Sequence, residues 1–239
     1  MIKIFCCECR RLLCNKFFIG LLAVLLFYAG QVFYAVALPG VAHTAPFSPW
    51  SFGAYLGRLL PLVWVGALFF LTFFTSARER RAAVLTAATP ADPRRYALAR
   101  CAAALVGVAL LCLAALALAA LLYARLFGWT DWGSLALPAL VILAPPLVFA
   151  LGSGWLLGRL RPWLLYVWML LPFALAALPL PEALGLWNGG LCTSYPLTLG
   201  MLDPAFSLPA AAWAVQGLLL AAGVLLLLVA GKGKKVYNQ

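Results

Sequence analysis

The chain has 239 residues, of which 66% are hydrophobic and 10% are charged, and its formal net charge is +11. Soluble globular domains carry about 25% charged residues, so this composition excludes a soluble domain and indicates a polytopic membrane protein. The apolar runs are long enough for helices that cross a bilayer with about 20 residues, and the alternating segments of about 10 residues that build a membrane barrel are absent. The basic residues lie at the ends of apolar runs, which indicates membrane topology and not nucleic-acid binding.

Residues 1–16 predict a helix that lies in the membrane interface on the cytosolic side. Apolar side chains are interspersed there with basic ones and with Glu8, a pattern typical of an interfacial helix. The same stretch contains Cys6, Cys7, Cys9 and Cys14, of which Cys6 and Cys9 form one CxxC pair. A structural zinc site needs four ligands, and no second CxxC or histidine lies nearby. We interpret these cysteines as small apolar residues of the interfacial helix, with free thiols. A metal site is the alternative.

The first predicted transmembrane helix, about residues 17–38, carries one strongly polar side chain. Tyr28, Gln31 and Tyr34 are three positions apart, so they lie on one helical face. An amide in hydrocarbon is costly, and we expect this face to point at protein or at a cavity. The face either lines a pathway or makes an interhelical hydrogen bond that holds the bundle together.

Residues 39–55 are rich in Pro, Gly, Ser and aromatic residues, and they predict an external loop in the headgroup region. Trp50, Phe52 and Tyr55 are its expected interface anchors. The only histidine, His43, falls in this loop, and we assign it no role.

Five further apolar stretches complete the predicted fold class, an all-α polytopic membrane protein with six transmembrane helices. These stretches cover about residues 56–77, 97–124, 135–158, 162–180 and 210–230. Residues 181–209 are too broken by Pro, Gly and Asn to span a bilayer and too apolar for a free loop. We expect them to form short external helices, a re-entrant segment between the fifth and sixth spans.

A basic hinge, residues 78–96, separates the second and third spans. Six of the seventeen Lys and Arg residues lie between positions 78 and 100. Pro90 ends the first helical piece, because the proline ring disfavours helical geometry at the residue before it. Asp92 and Pro93 then start a new helix, since Asp92 caps free backbone N–H groups and Pro93 needs none at the first helical position.

The positions of the basic residues predict the orientation. With the N- and C-termini in the cytosol, every Lys and Arg except Arg58 and Arg125 lies on the cytosolic side. A Lys or Arg at a span centre costs about 2.5–3.5 kcal/mol, so the opposite orientation is disfavoured. We expect a multi-pass protein of the cell membrane with both ends in the cytosol.

Several kinds of chemistry are missing from the sequence. No Asp, Glu, Lys or Arg falls in the middle third of a predicted span, which argues against a proton-coupled carrier. One histidine supplies neither HExxH nor a Ser-His pair, and no GxxxxGK[ST] stretch binds a nucleotide phosphate. We therefore expect neither an enzyme nor a cofactor or metal site on this chain. The possible pathway-lining residues are aromatic, amide and hydroxyl side chains: Tyr28, Gln31, Tyr34, Thr72 and Thr75.

The hinge resembles a motif in the membrane subunits of type-2 ABC exporters. Glu79 stands at the inner end of span two, a short apolar segment closes on a Thr-Pro pair at Pro90, and Arg94 and Arg95 precede Arg100. The family has a comparable RE…TP…R…K stretch after its second span. The layout of six spans, an interfacial N-terminal helix and an external re-entrant segment is similar as well.

By this resemblance the hinge contains a coupling helix, residues 80–88, that docks on a separate ATP-binding-cassette subunit. Arg81 stands where the family commonly has glycine, and Arg100 replaces a lysine. The residues expected to couple this chain to the ATPase are Glu79, Arg80, Arg81, Leu85, Pro90, Arg94, Arg95 and Arg100.

The resemblance implies a permease subunit that exports a lipophilic or amphipathic substrate, such as a peptide, a lipid or a drug-like molecule. ATP and Mg²⁺ would bind to the partner subunit, and a second permease copy or a related permease would complete a twelve-span framework. In the alternative, the hinge arginines only fix the topology and contact lipid phosphates. The chain would then be a non-energised membrane scaffold or an immunity-type protein.

Overall fold

The computed structural model describes residues 2–41, 43–75, 93–178 and 180–231, and the regular structure within these ranges is helical. A π-helical turn (Phe33–Ala37) extends the second helix, and a 3₁₀ turn (Glu182–Leu184) precedes the seventh. In chain order the α-helices are α1 (Ile2–Leu13), α2 (Lys16–Val32), α3 (Pro49–Thr75), α4 (Pro93–Phe127), α5 (Gly133–Leu160), α6 (Trp163–Ala177), α7 (Gly190–Thr198) and α8 (Ala210–Gly231).

The long helices of this bundle have the length and composition of membrane spans. Within the described ranges, five helices qualify: α2 with its π-helical turn, α3, α4, α5 and α8. The sixth apolar helix, α6, has 15 residues and reaches about 22 Å, less than the ~30 Å hydrocarbon layer. The chain is a multi-pass helical membrane protein, as the composition predicts. The number of six spans stays a prediction.

Helix α4 is longer than its predicted span. It begins at Pro93, where the sequence predicts the restart after the hinge, and it runs for 35 residues, about 52 Å. This length exceeds the hydrocarbon layer by several turns. One end of α4 must therefore stand outside the bilayer, next to the hinge or next to the turn that follows Phe127.

Helix α3 begins at Pro49, whereas the sequence predicts a loop up to residue 55. The three aromatic residues expected to anchor that loop in the headgroups are instead buried in the bundle. They are Trp50 (0% exposed), Phe52 (3%) and Tyr55 (0%). The expectation of an anchoring loop was therefore wrong for the part of the chain from Pro49 onwards.

Hydrogen bonds and ring contacts explain why the start of α3 is buried. Trp50 Nε1 donates to the carbonyl oxygen of Pro204 at 2.8 Å. The Tyr55 hydroxyl donates to the carbonyl oxygen of Ala115 at 3.3 Å, and its ring packs edge-on against Phe33. Trp50 and Tyr55 thus each pair their polar atom inside the bundle, which makes burial more favourable than an interfacial position.

Glycines set the close packing of α5 against its neighbours. A Cβ on Gly152 would meet the carbonyl oxygen of Gly223 in α8 at 2.5 Å, and one on Gly158 would meet Cγ2 of Thr75 in α3 at 2.7 Å. Without side chains at these positions the helix backbones approach closely, as is usual between helices in membranes. Helix α5 therefore forms the centre of the bundle, between α3 and α8.

The segment between α6 and α8 folds back onto the start of α3. A Cβ on Gly57 would meet the backbone nitrogen of Gly189 at 2.6 Å, and one on Gly53 would meet Sγ of Cys192 at 2.8 Å. Gly189 has a φ of +74°, a conformation that side chains disfavour. Helix α7 is thereby held against α3. Whether the segment re-enters the bilayer stays a prediction.

Candidate functional site

The structure describes both flanks of the predicted coupling segment. Residues 76–92 lie outside the described ranges, and with them Glu79, Arg80, Arg81, Leu85 and Pro90. Arg94 and Arg95 belong to the first turn of α4, and their side chains are not described. The last residue described before the hinge is Thr75.

A buried ion pair lies beside these flanks. The Tyr96 hydroxyl donates to Oε1 of Glu8 at 2.9 Å, and Arg100 Nε donates to the same oxygen at 3.3 Å. The side chains of Glu8 and Arg100 are 7% and 11% exposed. Arg11 approaches Oε2 of Glu8 at 3.7 Å from the solvent side, with its own side chain 50% exposed. An isolated charge would be costly at this depth, and the pairing offsets that cost.

Two aromatic rings hold the Arg100 guanidinium from either side of the hinge. Its central carbon lies 5.5 Å from the ring centre of Phe74, near the end of α3, and 4.2 Å from that of Tyr96, in the second turn of α4. Both distances are within the range of a cation–π interaction. Arg100 Nη2 also donates to the Tyr96 hydroxyl at 2.6 Å. We call Glu8, Phe74, Tyr96 and Arg100 the clasp.

The clasp changes the interpretation of the N-terminal helix. Helix α1 packs along α4, and Leu12 fills the space beside Gly107, where a Cβ would meet its Cδ2 at 2.8 Å. The sequence predicts that α1 lies flat in the interface, and its position relative to a membrane stays a prediction. That prediction omitted the contact with α4, because it grouped Glu8 with the basic residues on the water-exposed face of the helix. The signal was present: Phe5, Glu8 and Leu12 lie on one face of the helix.

Arg100 has a different environment from the one expected of a docking residue. It lies inside the bundle and holds Glu8, so its contribution to any coupling would pass through the positions of α1, α3 and α4. Tyr96 and Glu8 were not among the residues predicted from the sequence. The helical face that carries Glu8 is recognisable in the sequence, but its pairing with Tyr96 became recognisable only when the fold brought positions 8 and 96 together.

The cysteines within residues 1–16 are mostly exposed. Cys6, Cys7 and Cys14 are exposed, and Cys9 is half-buried. Burial raises the pKa of the Cys9 thiol, and the neighbouring Cys6 and Glu8 raise it further. Across the described ranges, no group of three His, Cys, Asp or Glu side chains is placed to hold a metal ion.

The five possible pathway-lining residues are not brought together. Thr72 and Thr75 donate their hydroxyl protons to carbonyl oxygens of their own helix, at 2.7 and 3.0 Å. Gln31 is exposed, and Tyr34 is 53% exposed. Tyr28 borders a groove, and its hydroxyl donates to the carbonyl oxygen of Arg58 at 3.4 Å.

Gln31 and Tyr34 therefore point away from the chain's own bundle, because α2 buries the opposite face, with Leu25, Ala29 and Val32. Tyr28 borders the groove, and for the other two the expectation that the polar face points at protein or at a cavity stays a prediction.

No protein-family model, no curated protein and no solved structure matches this chain.

Proposed function

We propose that this chain is the permease subunit of an ABC exporter, driven by a separate ATP-binding-cassette subunit that docks on residues 78–96. The sequence of the hinge carries the proposal, and the clasp supports it. Because Phe74 and Arg100 lie on opposite sides of the hinge and contact each other, a displacement of the hinge reaches α3 and α4 together. A hinge that only fixed the topology would need no such connection.

The clasp also gives α1 a part in this movement. Glu8 ties α1 to Arg100 and Tyr96, so α1 follows the inner end of α4 when the hinge moves. A rigid connection of this kind transmits a displacement only if its members have discrete, packed positions. The burial of Glu8 and Arg100 meets that condition.

In this proposal two permeases, each with six spans and both ends in the cytosol, form the membrane framework. The exposed face of α2 supports a second permease at this position. Gln31 lies roughly 22 Å along the helix from Lys16, at a depth where an amide facing lipid is costly. An amide at a helix–helix interface can hydrogen-bond across it.

The apolar bundle supports the proposed substrate class. The described helices offer aromatic, hydroxyl and amide side chains to a cargo, and the one buried acid in the described ranges, Glu8, is already paired. A lipophilic or amphipathic cargo, such as a peptide, a lipid or a drug-like molecule, fits these surfaces better than a small ion. ATP and Mg²⁺ belong to the partner subunit.

The proposal is tested in the hinge. We expect Glu79→Ala and Leu85→Asp to insert normally but to lose retention of the ATPase subunit or its stimulated ATP turnover. Loss of a charge from a docked interface costs about 2–5 kcal/mol of association, whereas loss from an exposed pair costs about 0–1 kcal/mol. Co-purification in mild detergent and ATP hydrolysis measure the difference.

A matched control lies in the loop before α3. His43 is exposed and has a φ of 60°, so His43→Asn keeps a residue that tolerates the left-handed conformation. This variant should behave like the parent. If both hinge variants retain and stimulate the ATPase normally, the hinge only fixes the topology and the chain is a scaffold or an immunity-type protein.

A further inference from the structure

A groove opens between α2, α3, α6 and the start of α7. Its volume is about 560 Å³, within the range of ligand-binding clefts. The groove lies on the opposite part of α3 from the clasp, because its α3 residues are Gly57, Arg58, Pro61 and Leu62, whereas the clasp uses Phe74. It is therefore separate from the site already described.

Arg58 lies deeper in its helix than the sequence indicates. Because α3 begins at Pro49, Arg58 is about 14 Å from the start of the helix, at the beginning of its middle third. The sequence predicts it at the outer end of a span that begins at about residue 56. A guanidinium within the hydrocarbon part of a span is costly unless an anion or water reaches it.

No acidic side chain in the described ranges pairs with Arg58. The Tyr28 hydroxyl bonds to its backbone carbonyl oxygen and not to its guanidinium. Glu8 is occupied in the clasp, and none of the residues that line the groove is acidic. The Arg58 side chain is exposed, so the groove has an unneutralised positive charge on its wall.

The first turn of α7 adds to this positive potential. Gly190 and Thr193 border the groove at the N-terminal end of the helix, where the helix dipole favours an anion. Asn188 caps the helix by accepting from the backbone N–H of Gly190 at 2.8 Å, which leaves its amide NH₂ group able to donate into the groove.

The rest of the groove is mainly apolar. Val24 of α2 and Phe173 of α6 line it and are 56% and 49% exposed, and Leu62 of α3 lines it as well. In a chain that spans a membrane, exposed side chains of this composition face acyl chains. A ligand can therefore enter from the bilayer without crossing water.

We propose that this groove binds the anionic head group of a membrane phospholipid. Arg58 pairs with the lipid phosphate, the side-chain amide of Asn188 donates to its oxygens, the α7 dipole adds positive potential, and one acyl chain lies along Val24, Leu62 and Phe173. Arginine suits this role because its planar group binds phosphate with two parallel hydrogen bonds. The site goes beyond the proposed transport function and does not depend on it.

The test uses the full chain in nanodiscs of phosphatidylcholine with a photoreactive phospholipid as the probe. Two probes with identical acyl chains compare an anionic phosphatidylglycerol with a zwitterionic phosphatidylcholine. We expect the anionic probe to cross-link to α2 and α6 near Val24 and Phe173, and Arg58→Gln to lower this cross-linking by at least about tenfold, as expected for the loss of a charge-assisted hydrogen bond.

Arg125→Gln is the matched control. Arg125 is exposed, lies outside the groove and is predicted on the same side of the membrane as Arg58. It should leave the cross-linking unchanged. Ala176→Trp fills the groove from an exposed position and keeps Arg58, so it should also abolish specific cross-linking. If Arg58→Gln does not fold, Ala176→Trp alone tests whether the groove binds the lipid.

Three results would overturn the proposal. The first is equal cross-linking of the two probes in the parent protein. The second is unchanged cross-linking in folded Arg58→Gln or Ala176→Trp. The third is full displacement of the probe by soluble glycerol phosphate, which would identify a site for a free anion and not for a lipid.

Discussion

Oε1 of Glu8 lies 3.3 Å from Nε of Arg100, although 92 positions separate the two residues in the chain. This pair connects the N-terminal helix to the long helix that follows the hinge. Because both side chains are about nine-tenths buried, removing either one takes a charged partner from the other in a poorly solvated place. The stability of α1 on the bundle should therefore depend on this pair.

Glu8→Gln tests that dependence. We expect a loss of about 2–5 kcal/mol in the free energy of unfolding, because the Arg100 charge stays buried without its carboxylate. The second single variant, Arg100→Gln, should cost a similar amount. The double variant should cost less than the sum of the two, since neither charge is then left alone. Reversible unfolding in mixed detergent measures all three.

Glu182→Gln is the control for the clasp, because Glu182 is an exposed acid in the 3₁₀ turn. It should change stability by no more than about 0.5 kcal/mol. Equal effects of the Glu8 and Glu182 variants would contradict the view that the clasp holds α1.

Substitution by alanine should have opposite effects on stability at two glycines of α8. A Cβ on Gly223 would meet the backbone nitrogen of Phe149 at 2.6 Å, whereas nothing lies within 4 Å of one on Gly217. Gly223→Ala must push α5 and α8 apart and should cost about 1–3 kcal/mol. Gly217→Ala should be neutral or stabilise by up to about 1 kcal/mol, since alanine favours the helix. A stable Gly223→Ala protein would contradict the close packing of α5 and α8.

Cys9 should be the slowest of the four cysteines within residues 1–16 to react with an alkylating reagent. Its thiol pKa is raised, chiefly by burial, so less of it is thiolate at neutral pH, and the rate should climb only as the pH rises towards that pKa. Variants that keep one cysteine each allow Cys9 to be compared with the exposed Cys6 and Cys14. The difference should vanish in denaturant. A Cys9 that reacts as fast as Cys6 in the folded protein would show that α1 is not held on α4.

The orientation can be measured with an impermeant thiol reagent in a background without the native cysteines. Cysteines at Ala88 and Gln239 should react only after the cell is opened, and one at Thr130 should react in intact cells. Thr130 is exposed in the turn after α4, whereas Ser48, in the loop before α3, is 1% exposed and would give no signal. Labelling of Ala88 from outside would invert the topology and exclude coupling to a cytosolic ATPase.

The sequence predicts the long helices well where an apolar run ends abruptly. For α8 the predicted stretch of 210–230 agrees with Ala210–Gly231, because Pro209 and the basic tail bound a continuous apolar run. The start of α4 at Pro93 was predicted for the same kind of reason, since proline suits the first helical position.

The start of α3 was missed because local composition and tertiary packing favour different structures there. Residues 39–55 have the Pro, Gly and Ser content of a loop, yet Trp50 and Tyr55 gain hydrogen bonds and ring contacts only as part of a helix inside the bundle. The clasp and the groove were missed for a related reason. Each combines residues from three or more elements, and no spacing within one element reveals such a combination.

The separation of Glu8 and Arg100 also bears on how the chain is made. At about 5–20 residues per second, Arg100 is synthesised roughly 5–20 s after Glu8, so the newly made α1 waits without its partner for that time. During the wait its own basic residues, Lys3, Arg10 and Arg11, attract it to an anionic membrane surface, at about 1 kcal/mol each. Phe74 must also be in place before the arginine stack is complete. Docking of α1 is thus a late event of biogenesis, and it occurs only in chains whose second and third apolar helices have already been assembled side by side.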